Sequence, residues 1–153
     1  MTNNDILRSL RYTFDFSDDK MIALFALGGK TVGRSEVSDW LKREEDPEFM
    51  GIYDKDLAYF LNGLIIDRRG RREGEQPVAE KTLNNNMILR KLKIALDMKD
   101  DEILEILSTV NVNISKHELS AFFRKPTQSQ YRLLKDQILR NFLRGIQIKF
   151  RPN

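Results

Sequence analysis

The sequence predicts an all-α protein made of two tandem four-helix domains, each with a helix-turn-helix-like core. Residues 2–71 and 84–153 align without a gap at a constant offset of 82, and 18 of the 70 aligned positions are identical. Apolar residues also recur at helical spacing in both copies. A copy of about 70 residues can bury only a marginal core alone, so we expect the two domains to pack together.

The first helix of each copy is predicted from four apolar residues at helical spacing. In copy one it runs from about Asp5 to Asp15, and the pattern recurs 82 residues later. Asn3 or Asn4 precedes the apolar residues and is expected to cap the helix through its side chain. The apolar residues are Ile6, Leu7, Leu10 and Phe14, with the equivalents Ile88, Leu89, Leu92 and Leu96.

The second helix is predicted to begin after Ser17, with the acidic pair Asp18 and Asp19 in its first turn. Acidic residues stabilise a helix start because the free amide groups there are partly positive. Glycines at 28–29 are expected to end the helix in copy one, and the asparagines within 111–113 mark the same turn in copy two.

A short third helix, from about Ser35 to Arg43, is followed by a long polar connection over residues 44–52. The fourth helix is expected to begin near Asp54 in copy one and near Asp136 in copy two, where each aspartate is interpreted as a cap. These helices complete the predicted set of four in each domain.

Both copies carry a glycine inside the predicted fourth helix, Gly63 and Gly145. A glycine in a helix interior costs about 1 kcal/mol relative to alanine. Since both copies accept that cost, we expect another backbone to cross each glycine too closely for a Cβ.

The composition is that of an ordinary globular protein, with a polar linker over 72–83 between the copies. No apolar run approaches the roughly 18 residues of a membrane span, so no membrane partner is expected. The start of the chain, Met-Thr-Asn-Asn-Asp, lacks the features of a signal peptide, and a cytoplasmic location is the expectation. The absence of cysteine excludes disulfides and thiolate sites.

The overall charge of +3 hides an asymmetry between the copies. Copy one has a net charge of −2, the linker −1 and copy two +6, and no acidic residue follows Asp136. Fields of opposite sign on two related domains bear on partners and association more than on the fold.

Few residues indicate catalytic chemistry, so a non-enzymatic protein without a cofactor or metal is predicted. The single histidine, His117, lacks the partners of a catalytic triad or a zinc site. The pairs Asp18–Asp19 and Asp100–Asp101 could bind a cation such as magnesium, but helix-start placement explains them without a ligand. The chain has no glycine-rich loop of the kinds that cradle nucleotide phosphates.

The second and third helices are similar to a helix-turn-helix, the first candidate for function. Val32, Val37 and Trp40 hold the apolar positions of that motif, as do Ile114, Leu119 and Phe122 in copy two. The side expected to face a DNA groove offers Arg34, Ser35, Ser38, Asp39 and Lys42, or Lys116, His117, Ser120, Ala121 and Lys125. The candidate nucleic-acid-binding residues are Lys116, His117, Arg124, Lys125, Arg140, Arg144 and Lys149, with Arg132 as a further cation of this copy.

Two departures leave an alternative open. The turn is longer than in the usual motif, and the acidic residues 44–46 that follow the third helix of copy one would repel phosphates. Domains of opposite charge would also suit a protein–protein interaction module or a homo-oligomer, whose association would weaken with salt.

Five stretches carry a resemblance to a known family, namely Thr2–Arg8, Glu36–Lys42, Asn62–Leu64, Leu83–Asn86 and Leu119–Pro126. They resemble the YehS-like proteins, an uncharacterised bacterial family built from two copies of a domain of unknown function. The resemblance spans nearly the whole chain. It implies a small bacterial cytoplasmic protein and carries no activity, cofactor or site residue.

Overall fold

The computed structural model describes residues 1–151 and contains eight α-helices and no strand within that range. The helices of the first repeat are α1 (Asn3–Phe14), α2 (Asp18–Gly28), α3 (Arg34–Leu41) and α4 (Asp54–Arg69). Those of the second are α5 (Asn85–Ala95), α6 (Asp100–Thr109), α7 (Lys116–Phe122) and α8 (Asp136–Phe150). Each helix start in the second repeat lies 82 residues after its equivalent, so the predicted all-α duplicated fold is confirmed. No helix among the described residues is both long enough and apolar enough to span a bilayer.

The helix caps correct two predictions. The side chains of Thr2 and Asn84 cap α1 and α5, so neither Asn3 nor Asn4 is a cap. Asp54 and Asp136 are the first residues inside α4 and α8 and make no side-chain cap. Their carboxylates accept hydrogen bonds from other parts of the chain instead.

Helices α2 and α4 cross at the closest approach in the first repeat, as Gly63 predicted. A Cβ on Gly63 would lie 1.7 Å from the Leu24 carbonyl oxygen, and one on Gly28 would lie 1.8 Å from that of Tyr59. The equivalent crossing in the second repeat is looser, because a Cβ on Gly145 would first meet the Ile106 side chain at 2.5 Å and its carbonyl oxygen at 3.0 Å.

The first helix of each repeat packs on the fourth helix of the other repeat. This contact confirms that the two repeats pack together. Helix α1 packs on α8, and α5 packs on α4, so the contact between the repeats is made twice in equivalent form. This is the reciprocal arrangement of a two-fold symmetric dimer, here within one chain.

Two sets of polar contacts repeat across this internal two-fold. Asp54 accepts a hydrogen bond from the Leu83 amide at 2.8 Å, and Asp136 accepts one from the equivalent nitrogen of Met1 at 3.4 Å. Arg69 pairs with Asp97 at 2.5 Å, as Arg151 pairs with Asp15 at 3.4 Å. Both aspartates lie just after their helices and have a positive φ.

Candidate nucleic-acid interface

Helix α7 and the loop that follows it form the centre of the candidate interface. A capping box between Ser115 and Glu118 begins the helix. Lys116 and His117 are exposed in the first turn. Ala121, which was predicted to face a partner, is instead buried, with only 5% of its surface exposed.

The loop over 123–135 is held in place by two asparagines of α5. The Asn86 amide donates to the carbonyl oxygens of Phe122 and Arg132, and its oxygen accepts from the Leu134 amide at 2.9 Å. Asn85 donates to the carbonyl of Leu134 at 3.0 Å and to Asp136 at 2.7 Å. The path of the loop therefore depends on α5, and within the loop the Gln128 side chain adds one hydrogen bond from the Lys125 amide at 2.8 Å.

The same brace exists in the first repeat. Asn4 donates to the carbonyls of Trp40 and Met50 and accepts from the Ile52 amide, and Asn3 donates to the Ile52 carbonyl and to Asp54. Sequence reasoning missed this role and interpreted the asparagines as caps. The available clue was that both copies hold two successive asparagines where a single cap would suffice.

Each brace creates a groove between the third helix, the loop and the start of the fourth helix. The groove of the second repeat has a volume of about 640 Å³, and its lining includes His117 and the cations Arg132 and Lys135. Leu133 stands in it with 69% of its surface exposed. The acidic side chain in this lining, Glu118, already accepts a hydrogen bond from the Ser115 amide.

The equivalent groove of the first repeat has a volume of about 690 Å³ and no basic residue in its lining. Its two acidic lining residues are already engaged, because Glu36 accepts a hydrogen bond from the Gly33 amide at 3.1 Å and Asp56 pairs with Lys30 at 2.6 Å. Tyr53, which is 79% exposed, and Met50 stand where the second repeat has Lys135 and Arg132. The equivalent grooves thus differ in lining, with basic residues at positions of the second groove that are uncharged in the first.

A second cationic pocket lies on the other side of Phe122. It has a volume of about 280 Å³ and contains Arg90, Arg124 and Lys125, beside Tyr131. Arg90 also donates to the Phe123 carbonyl, which holds its guanidinium near the loop. The α7 region therefore carries cations on both of its flanks.

Lys42 of the first repeat corresponds to Arg124, and two acidic side chains neutralise its charge. Its ammonium donates to Asp39 at 2.8 Å and to Glu48 at 2.6 Å, and these hydrogen bonds raise the pKa of Lys42. In the second repeat the two acidic positions hold Ala121 and Gln130. Neither side chain can neutralise a guanidinium.

The seven candidate residues do not form one surface. His117, Arg124 and Lys125 lie in the two pockets beside α7, next to Lys116, which pairs with Asp101 at 3.5 Å. The others lie elsewhere on α8. Arg140 and Arg144 line a groove against α1, and Lys149 lies above the Phe150 ring, 6.0 Å from its centroid. The structure adds Arg90 and Lys135, which sequence reasoning missed because their positions depend on the loop.

The acidic pairs at the starts of α2 and α6 act as braces between helices. Asp18 lies 3.9 Å from Arg11 and 3.5 Å from Arg34, which also pairs with Asp19 at 2.5 Å. In the second repeat, Lys93 and Lys116 take the same places beside 100–101. Within residues 1–151, no three acidic or histidine side chains come together in a way that could hold a metal ion.

Comparison with known proteins places this architecture in a family. Residues 3–70 and 85–151 each match the model of the family described as "Protein of unknown function (DUF1456)". The chain is 38% identical over 147 residues to the "Uncharacterized protein YehS" of Escherichia coli (strain K12), which covers 95% of this chain and 94% of that protein. No solved structure matches the chain. The twofold match and the similarity along nearly the whole chain show that the protein belongs to the DUF1456 family, with one copy of the family domain in each repeat.

Proposed function

We propose that the protein is a non-enzymatic binding protein that contacts nucleic acid through α7 and the adjoining loop of its second repeat. The observation that supports this most is the loss of neutralising acids around α7. Lys42 of the first repeat has two carboxylate partners, and Arg124 has neither. Cations without acidic partners can neutralise phosphates and release condensed counterions.

The shape of the surface favours contact with the phosphate backbone over reading of base edges. Helix α7 is seven residues long, and Leu119, Ala121 and Phe122 are buried. Only its first turn, with Lys116 and His117, is exposed. A recognition helix contacts base edges through an exposed face of this kind. Phosphate contacts fix position on a duplex but carry little sequence information, so the proposed binding is sequence-tolerant.

Fluorescence anisotropy with a labelled random duplex, titrated against salt, tests this proposal. We expect binding at low salt, with the variant Arg124→Glu plus Lys125→Glu lowering the slope of log affinity against log salt by roughly 2, at about 0.9 per lost phosphate contact. The matched control is Arg43→Glu, which alters the position equivalent to Lys125 in the acidic repeat. The control should bind as the unaltered protein does. Absence of binding, or equal loss in both variants, would reject the phosphate role.

A second candidate function is protein docking or self-association, supported by the different linings of the equivalent grooves. Exposed Tyr53 and Met50 suit an apolar side chain, and the groove lining adds acidic Glu36 and Asp56, of which Asp56 also pairs with Lys30. The loop around Leu133 offers such an apolar side chain, flanked by the cations Arg132 and Lys135. Sedimentation velocity at low and high salt tests it, since head-to-tail association should weaken with salt and disappear in Leu133→Glu. A monomer under all conditions would exclude self-association.

A further inference from the structure

The internal two-fold produces two equivalent grooves between the repeats, one along α4 and α5 and the other along α8 and α1. The linker lies against the first groove. Ala79 is buried, and Glu80 pairs at 3.0 Å with Lys91 of α5. The Lys91 ammonium donates a hydrogen bond at 2.6 Å to Asn62 of α4, so the linker carboxylate forms its ion pair where the two helices meet.

The second groove has the same walls but no covering segment from the described chain. Its volume is about 230 Å³, and it is lined by Met1, Asp5, Ser9, Arg140, Leu143, Arg144 and Gln147. Met1 stands where Leu83, the end of the linker, stands at the first groove. An extended segment could therefore lie along α8 as the linker lies along α4.

Each groove has a cation on one of its walls, but the two cations lie on different helices. Lys91 of α5 faces Asn62 of α4 in the first groove. The equivalent positions in the second groove are Ser9 of α1 and Arg144 of α8. The first groove thus has its cation on the fifth helix, and the second has its cation on the eighth helix. Arg140 adds a second cation one turn from Arg144.

Asp5 also lines the second groove, but its charge is engaged. Partial burial would raise the pKa of Asp5, yet hydrogen bonds from Thr2 and Arg8 outweigh that effect and lower it. Asp5 lies 2.5 Å from the Arg8 guanidinium. The two arginines of α8 therefore set the sign of the groove.

We propose that the α8–α1 groove binds an extended acidic peptide segment of a partner protein, in the manner in which the α4–α5 groove holds the chain's own linker. The occupant presents a carboxylate to Arg144 as Glu80 presents one to Lys91. A charge-assisted hydrogen bond between a guanidinium and a carboxylate is stronger than a neutral one and can be bidentate. This site is separate from the α7 surface proposed to contact nucleic acid.

The probe for this site is a labelled synthetic peptide with the sequence of residues 74–83, which includes Glu75 and Glu80. We expect the full-length protein to bind it by anisotropy, and Arg144→Glu to weaken binding by about tenfold or more. The matched control is Lys149→Glu, an equal change of charge on the same helix at an exposed position outside the groove. It should bind the peptide as the unaltered protein does. A peptide with both glutamates replaced by lysine should not bind.

Circular dichroism melts of each variant establish folding, and Arg144→Gln provides a second variant that removes the charge without reversing it. No binding of the peptide, equal binding by Arg144→Glu and Lys149→Glu, or equal binding of the lysine peptide would overturn the proposal. Arg144→Glu lowering the affinity for duplex DNA while leaving peptide binding unchanged would also overturn it and assign Arg144 to nucleic acid. Failure of the Arg124→Glu plus Lys125→Glu test leaves this proposal standing, because neither residue lies in the α8–α1 groove.

Discussion

Two asparagine side chains brace the loops that connect the third and fourth helices of the two repeats. Asn4 and Asn86 are buried, and each makes three hydrogen bonds to backbone groups on either side of its loop. Their presence was evident from the sequence, but their role was not. A capping asparagine and a loop-bracing asparagine look alike in a sequence, and only the position of the loop distinguishes them.

Replacing Asn86 by alanine should destabilise the protein by about 2–4 kcal/mol, because two carbonyls and one amide lose their partner in a buried place. Urea denaturation measures the change. Asn113→Ala, at an exposed position in the α6–α7 turn, is the control and should stay within about 0.5 kcal/mol. A cost for Asn86→Ala as small as that of the control would contradict the bracing role.

Asp136 should make stability depend on pH in the acid range. Hydrogen bonds from Asn85 and from the amino group of Met1 lower the pKa of Asp136 below its ordinary value of 3.8. A lowered folded-state pKa stabilises the fold above the ordinary value, and this contribution is lost as the pH falls through the folded pKa. Asp136→Asn should therefore lose stability near pH 7 and show a smaller further loss between about pH 5 and pH 2. Urea midpoints across that range test it, and parallel curves for the two proteins would contradict it.

At the scale of the element, one glycine of the α2–α4 crossing was predicted from the sequence and the other was not. The costly glycine inside the fourth helix predicted the close approach. Gly28 was interpreted only as a helix end, yet its missing Cβ makes room for the Tyr59 carbonyl. A glycine at the end of a helix is already explained by the helix end itself. The sequence therefore gives no further sign that it also takes part in packing.

The two crossings should respond differently to the same substitution. Gly63→Ala places a Cβ against a backbone carbonyl that cannot move independently, and we expect a cost of at least about 3 kcal/mol. Gly145→Ala first meets the Ile106 side chain, which can shift, so its cost should be clearly smaller. Thermal or urea unfolding of both variants measures the difference. Equal costs would show that the two crossings are equally tight.

At the scale of the molecule, the sequence predicted two related helical domains that pack together but not the exchange of partners between them. A constant offset shows that the copies are alike; it does not show which first helix packs on which fourth helix. The candidate site was predicted only in part for the same reason. Composition revealed the excess of cations in the second repeat, whereas the acids that neutralise Lys42 and the separation of Arg140 and Arg144 from α7 depend on folded geometry.

The exchange of helices predicts that the repeats unfold together. Trp40, the only tryptophan, is buried in the first repeat, so its fluorescence reports that repeat alone. Far-UV circular dichroism reports all eight helices. Because α1 packs on α8 and α5 packs on α4, we expect the two signals to give the same urea midpoint. A fluorescence transition displaced from the dichroism transition would show that the repeats unfold independently.

The asparagine brace has a consequence for engineering. Anchors outside the loops fix the backbone of both, and the exposed side chains in between have diverged from acidic to basic on the same frame. Grafting residues 43–51 onto positions 125–133 should therefore transplant the surface of one repeat to the other and leave the melting temperature nearly unchanged. The protein would then serve as a scaffold with two loop positions, each of which accepts the loop sequence of the other.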